Sequence, residues 1–233
     1  MILFETLAPA PLQAAGIVGG IACGGVAVWL AKTIPPTMEL EERARPRWWW
    51  LLAVLTGGFV GWLVANAAGS WALLPAYLVF VGATLGLSLI DLDHQLLPNR
   101  VLFPSTVVVG GLLIVGALLD GRGGDLVRSG LAGAAYFLFL LVVAIVARGG
   151  FGMGDVKLAF LLGLVMGFES WGALLVGIIL AIVLGGVASG LLLLFSGKGR
   201  KAKFAYGPYL VLGSWVAVVW GQRIADWYVG AAG

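Results

Sequence analysis

The 233-residue chain is 61% hydrophobic and 11% charged, with 37 Gly, 10 Trp and a formal net charge of +3. A soluble domain usually carries about a quarter charged residues, so this composition describes an integral membrane protein rather than one built on a water-excluded core. Its Lys and Arg fall in short stretches with no basic face, which excludes nucleic acid as a partner and suits the charge bias of membrane loops. A hydrocarbon core about 30 Å thick needs helices of ~20 apolar residues. Runs of that kind predict helices at 12–32, 48–68, 71–90, 101–119, 126–147, 155–168, 171–196 and 206–229. No Lys or Arg precedes the first run in MILFETLAPAPLQ, so that run reads as a retained span and not a cleaved signal. Lipid supplies no hydrogen-bond partners, and no run alternates like a barrel strand. The fold class is therefore all-α, a polytopic bundle of about eight transmembrane helices forming one domain over residues 1–233.

Small residues four apart recur at Gly16, Gly20 and Gly24, at Gly57 and Gly61, at Gly82 and Gly86, and at Gly163 and Gly167. Such spacing lets helix backbones approach closely and says nothing of activity. The single cysteine, Cys23, reads as packing, and with it alone there is neither a disulfide framework nor a thiolate zinc site. With the N-terminus outside, 11 of the 14 Lys and Arg fall on the cytoplasmic side, leaving Arg122, Arg128 and Arg223 outside. This orientation also leaves the C-terminus outside. It brings two acidic stretches, IDLDHQLLPN at 90–99 and GMGD at 152–155, to the cytoplasmic membrane edge.

Several chemistries are missing. One histidine, His94, cannot supply a two-histidine metal site, and the chain has no HExxH, no GxSxG and no phosphate-binding glycine loop. What remain are carboxylates beside hydrocarbon, which are costly to place and mark function by default. Asp91 closes the third run and Asp155 opens the sixth. Two neighbouring acids can share a proton, one acting as base toward water and the other donating to a carbonyl. The plain alternative makes both ordinary helix-end residues, with Asp155 capping its helix. Asp93, two residues from Asp91, points elsewhere on a helix and reads as a solvated loop acid, and His94 as an interfacial or loop residue. Asp155 at a helix start and Asp91 at a helix end would meet opposite ends of the helix dipole, which predicts that Asp91 more often holds the shared proton.

These stretches resemble the bacterial type IV prepilin leader peptidases, GxGD intramembrane aspartyl proteases. IDLDHQLLPN is similar to the first motif, with Asp91 seven residues before Pro98, and GMGDVKL to the second, with Asp155 as its acid. AYGPYLVLG at 205–213 resembles the glycine-proline stretch near the family's C-terminus. The likeness covers about residues 48–229. It implies catalytic Asp91 and Asp155, with Gly152, Gly154, Lys157, Pro98, Gly207 and Pro208 supporting the motifs or positioning substrate. Gly149, Gly150, Gly152 and Gly154 disfavour a continuous helix and would let a substrate backbone reach Asp155. Lys157 either snorkels to headgroups or touches substrate.

The implied reaction removes a basic leader from prepilins or pseudopilins at the cytoplasmic face of the bacterial inner membrane, in contact with lipid and with a pilus or secretion machinery. The chain departs from the family at 33–47, a short loop in TIPPTMELEERARPRWWW where relatives commonly carry two CxxC pairs. Without cysteines there, no metal or other cofactor is expected; zinc, S-adenosylmethionine and methyltransferase activity are not anticipated. Glu39, Glu41 and Glu42 form a solvated run or attract a basic leader. A proton- or ion-coupled transporter and a noncatalytic secretion scaffold stay open as alternatives. Presenilin-like proteases share GxGD, but their PAL motif is missing.

Overall fold

The computed structural model describes residues 7–33, 47–146, 152–195 and 205–232. They form α1 (Ala10–Thr33), α2 (Arg47–Ala68), α3 (Leu74–His94), α4 (Asn99–Leu119), α5 (Gly123–Val146), α6 (Met153–Glu169), α7 (Trp171–Phe195) and α8 (Gly207–Ala232). There is no strand among the described residues. Each expected helix is present, displaced at its ends by a few residues. Six of them, α1 to α5 and α7, are long and apolar enough to cross a membrane. The chain is a multi-pass helical membrane protein. The other two depart from the expected eight spans for separate reasons. Helix α6 has only 17 residues, and α8 dilutes its apolar face with Gln222, Arg223 and Asp226.

The helices gather into two compact units, Met1–Gly86 with Phe103–Gly123, and Leu87–Leu102 with Gly124–Gly233. In the first unit, α1 and α2 meet along their glycines. A β-carbon on Gly57 would lie 2.5 Å from the Gly20 carbonyl oxygen, and one on Gly16 equally close to that of Gly61. No side chain fits between these backbones, so the four-residue spacing holds two helices together as expected. Gly82 packs on Cys23, whose β-carbon lies 3.0 Å from where a β-carbon would stand. The cysteine is a packing residue, free of any disulfide.

In the second unit, α5 and α6 use the same device. Gly163 faces the Ala132 carbonyl and Gly133, and Gly167 faces Ala132 and Ser129. The far end of α6 is held by Arg128 of α5, which donates through Nε to the Gly167 carbonyl at 2.6 Å and through its terminal nitrogen to those of Phe168 and Glu169. Orphan carbonyls at a helix C-terminus gain from a cation there. Asp125 holds the guanidinium in place at 3.0 Å. Most of α6 is buried around its whole circumference, including Val156, Leu158, Leu161, Leu162, Val165 and Phe168. A helix apolar on all sides belongs inside a bundle.

Candidate active site

Helix α3 runs past the predicted boundary at 90 to His94, so Asp91 sits in its last turn. Asp93 and His94 are also helical and half-buried, which corrects the reading of Asp93 as a solvated loop acid and the loop half of the reading of His94. The turn closes when the Gln95 N–H donates to the Asp91 carbonyl at 2.8 Å. Gln95 then takes a left-handed φ of 52°, the only non-glycine positive φ among the described residues, and the connector turns toward α4. Pro98 starts that helix, its carbonyl accepting from Val101 and Leu102 at 3.0 and 3.1 Å.

Asp155 is the third residue of α6. Gly152 is the N-cap, extended at φ −75° and ψ 141°, with no side-chain cap of its own. The Asp155 N–H donates to the Gly152 carbonyl at 3.1 Å, and a β-carbon on Gly152 would lie 3.4 Å from Asp155 Oδ2, which places the carboxylate over the N-cap. An acid in the first turn that lies over the N-cap stands where the acid of a capping box does. Capping and a chemical role are therefore compatible at this one side chain.

Both acids belong to the second unit and both are withdrawn from solvent, Asp91 at 5% and Asp155 at 8% exposure. They lie within electrostatic range of each other, and Tyr136 and Tyr206 lie within range of Asp155. Burial of acids is expensive unless hydrogen bonds or a shared proton offset it. For Asp91 the hydrogen bond comes from α8: the Gly207 N–H donates to Oδ2 at 3.0 Å. Gly207 is the first residue of α8 and Pro208 the second, where a missing N–H costs nothing. The expected asymmetry between the acids thus loses its basis, since Asp91 closes one helix but faces the positive end of another.

The glycines separate into two kinds. A β-carbon on Gly207 would stand 2.8 Å from Asp91 Oδ2, so the carboxylate occupies the space a side chain would need. A β-carbon on Gly154 would stand 2.8 Å from the Leu97 β-carbon. Gly154 therefore makes room for this chain's own connector, which corrects its reading as a space for substrate. Gly152 is exposed, and a β-carbon there would lie 3.4 Å from Asp155 Oδ2. Gly149 and Gly150 lie outside the described residues, as do Glu39, Glu41 and Glu42. Lys157 donates to Asn99 Oδ1 at 3.1 Å, a protein partner where headgroups or substrate were expected.

Tyr206, Leu97 and Asn99 were not singled out in the sequence, although each lies in a quoted stretch. The Tyr206 hydroxyl donates to the Ala181 carbonyl of α7 at 3.1 Å. Its ring lies directly over Gly185, and its carbonyl accepts from Tyr209 and Leu210 to begin α8. Tyr206 thereby fixes where the adjacent Gly207 N–H points. Among the described residues no three His, Cys, Asp or Glu side chains come together as a metal site would need. A buried acid pair, one member of which accepts a backbone N–H at a helix start, can hold and exchange one proton.

Residues 78–190, which include both acids, match the type IV leader peptidase family. Curated relatives named prepilin leader peptidase/N-methyltransferase include one from Stutzerimonas stutzeri, 32% identical over 178 residues, covering 75% of this chain and 58% of the relative. One from Aeromonas hydrophila is 32% identical over 77% of this chain and 60% of its own. One from Bacillus subtilis is 28% identical over 69% and 61%. The chain thus spans about three-fifths of the length of these relatives. No solved structure gives a significant match. The matching region contains the pair and the Leu97 and Lys157 contacts, while Tyr206 and Gly207 lie beyond its end.

Proposed function

We propose that this protein is a membrane-embedded aspartyl endopeptidase that removes the basic leader from prepilins or pseudopilins. The observation that carries the reading is the buried pairing of Asp91 with Asp155, both inside the region that matches the type IV leader peptidase family. One acid takes a proton from water as the oxygen bonds to the scissile carbonyl carbon, and the other gives its proton to the carbonyl oxygen. The tetrahedral intermediate collapses as the second acid recovers that proton. The first delivers its own to the departing amine, so the pair returns with one proton between its members. The exposed, extended backbone at Gly152 leaves the approach to Asp155 open for an unfolded peptide.

The cytoplasmic edge of the bacterial inner membrane is the site that the Lys and Arg distribution supports, with both termini outside. A cationic leader held on that side by the same bias would bring its scissile bond to the acids. Methyl transfer is not part of the proposal, because the sequence between α1 and α2 has no cysteine for the zinc segment.

Purified protein in lipid, incubated with a prepilin, should release the leader. Asp91→Ala and Asp155→Ala should each reduce cleavage by at least about 10³-fold, as removal of one member of a catalytic unit does. Failure of the wild type to cleave any of a panel of prepilins and pseudopilins would overturn the reading. Ion transport abolished by the same substitutions would favour a coupled transporter instead.

A further inference from the structure

Between the two acids the chain makes a tight reversal whose geometry demands support from elsewhere. Gln95 holds a left-handed φ of 52°, a conformation that a residue with a β-carbon adopts at a cost and keeps only when its surroundings fix it. One side of the reversal is fixed by the Gln95 N–H on the Asp91 carbonyl. The other side leads through Leu97 to Asn99, and both residues are attached to the first turns of α6. Leu97 fills the space over Gly154, and Asn99 Oδ1 accepts from Lys157 at 3.1 Å.

Gly154 and Lys157 are three residues apart, so they present one face of α6 to the connector. Asp155 lies between them in sequence, about 100° round the helix from Gly154 and about 160° from Lys157, so the gripped face leaves its side chain free of the connector. The connector is consequently gripped at two points along a single ridge. A helix held at two points resists both rotation about its axis and sliding along it, which a single contact does not. Those are the two motions that would change the separation and mutual aim of Asp91 and Asp155. The Lys157 bond is exposed and would contribute little to stability alone. Its effect on geometry is separate from its effect on stability, because small displacements of reacting groups cost disproportionately in rate.

We propose that Lys157 and Asn99 form a latch that, with Leu97 seated on Gly154, sets the register of the α3–α4 connector on α6 and so positions the acid pair. The inference rests on the peptidase reading for its kinetic consequence and on geometry alone for its structural one. Lys157 and Asn99 are positioning residues, with no assigned contact to the reacting atoms.

The test uses the full chain in lipid, with prepilin cleavage and amide hydrogen exchange measured on the same samples. Lys157→Met and Asn99→Leu should each lower kcat about fivefold to twentyfold, leave KM within about twofold, and speed exchange both in the 95–99 connector and in the 152–158 turn. The double variant should be no more than about twofold slower than either single one, and Asn99→Asp, which keeps an acceptor for Lys157, should restore the wild-type rate and exchange. A raised KM in Lys157→Met with no change in Asn99→Leu would assign Lys157 to substrate instead. Unchanged exchange in both variants would also overturn the latch. If the wild type cleaves nothing, the peptidase reading fails, while coupled exchange still decides whether the latch exists.

Discussion

Glycine serves different purposes along the helix seams of this molecule and beside its acids. Along α1 and α2, Gly16, Gly20, Gly57 and Gly61 bring backbone against backbone, and the space they vacate is filled by another main chain. In the second unit, Gly207 and Gly154 vacate space for side chains, the Asp91 carboxylate and Leu97. The first arrangement sets how closely two helices pack. The second sets where one acid and one connector stand. Small residues in a membrane sequence therefore cannot be read as a single signal, because the missing β-carbon is replaced by different neighbours with different consequences.

Substitutions that add a β-carbon should separate the two cases. The largest effect on cleavage is expected for Gly207→Ala, which puts a methyl group 2.8 Å from Asp91 Oδ2 and displaces the carboxylate from its N–H donor. Prepilin cleavage should fall about tenfold to a hundredfold with little loss of folded protein. A near wild-type kcat would show that the bond between Gly207 and Asp91 is dispensable. Gly154→Ala should cost about tenfold through Leu97, and adding Leu97→Ala should recover most of the loss by removing the obstacle. If the double variant is slower still, the space over Gly154 serves something other than the connector.

The smallest effect on cleavage is expected at the other kind of glycine. Gly61→Ala pushes against Gly20, whose α-carbon would be 2.8 Å away, and should destabilise the protein by about 1–3 kcal/mol in denaturant titration. Cleavage per folded molecule should stay within about twofold. A selective loss of kcat without loss of stability would erase the distinction between the two kinds of glycine.

Much of the fold was legible because lipid leaves so few options. Apolar runs separated by Gly, Pro and charge had to be helices, and even α6, shorter than a full span, was visible from the acid at its start. Asp91 and Asp155 stood out for a related reason, as ionisable groups where hydrocarbon makes them costly. Their surroundings were not legible. The donor to Asp91 is Gly207, 116 residues away, and nothing local to IDLDHQLLPN names it. The helix-dipole expectation weighed the helix that carries Asp91 and could not see the start of α8 facing it. Gly154 was read by type rather than neighbour, and Asn99 was passed over beside Pro98 because its role depends on Lys157, 58 residues later.

The length of α6 carries a further consequence for the surrounding bilayer. Its 17 residues rise about 25 Å, about 5 Å less than a typical hydrocarbon core. On the proposed placement of Asp155 at the membrane edge, bilayers of short acyl chains should match α6 and long chains should bury its acidic end under hydrocarbon. Cleavage rates should therefore decline as reconstituted bilayers are made thicker, whereas a rate independent of acyl length would mean that the protein absorbs the mismatch internally.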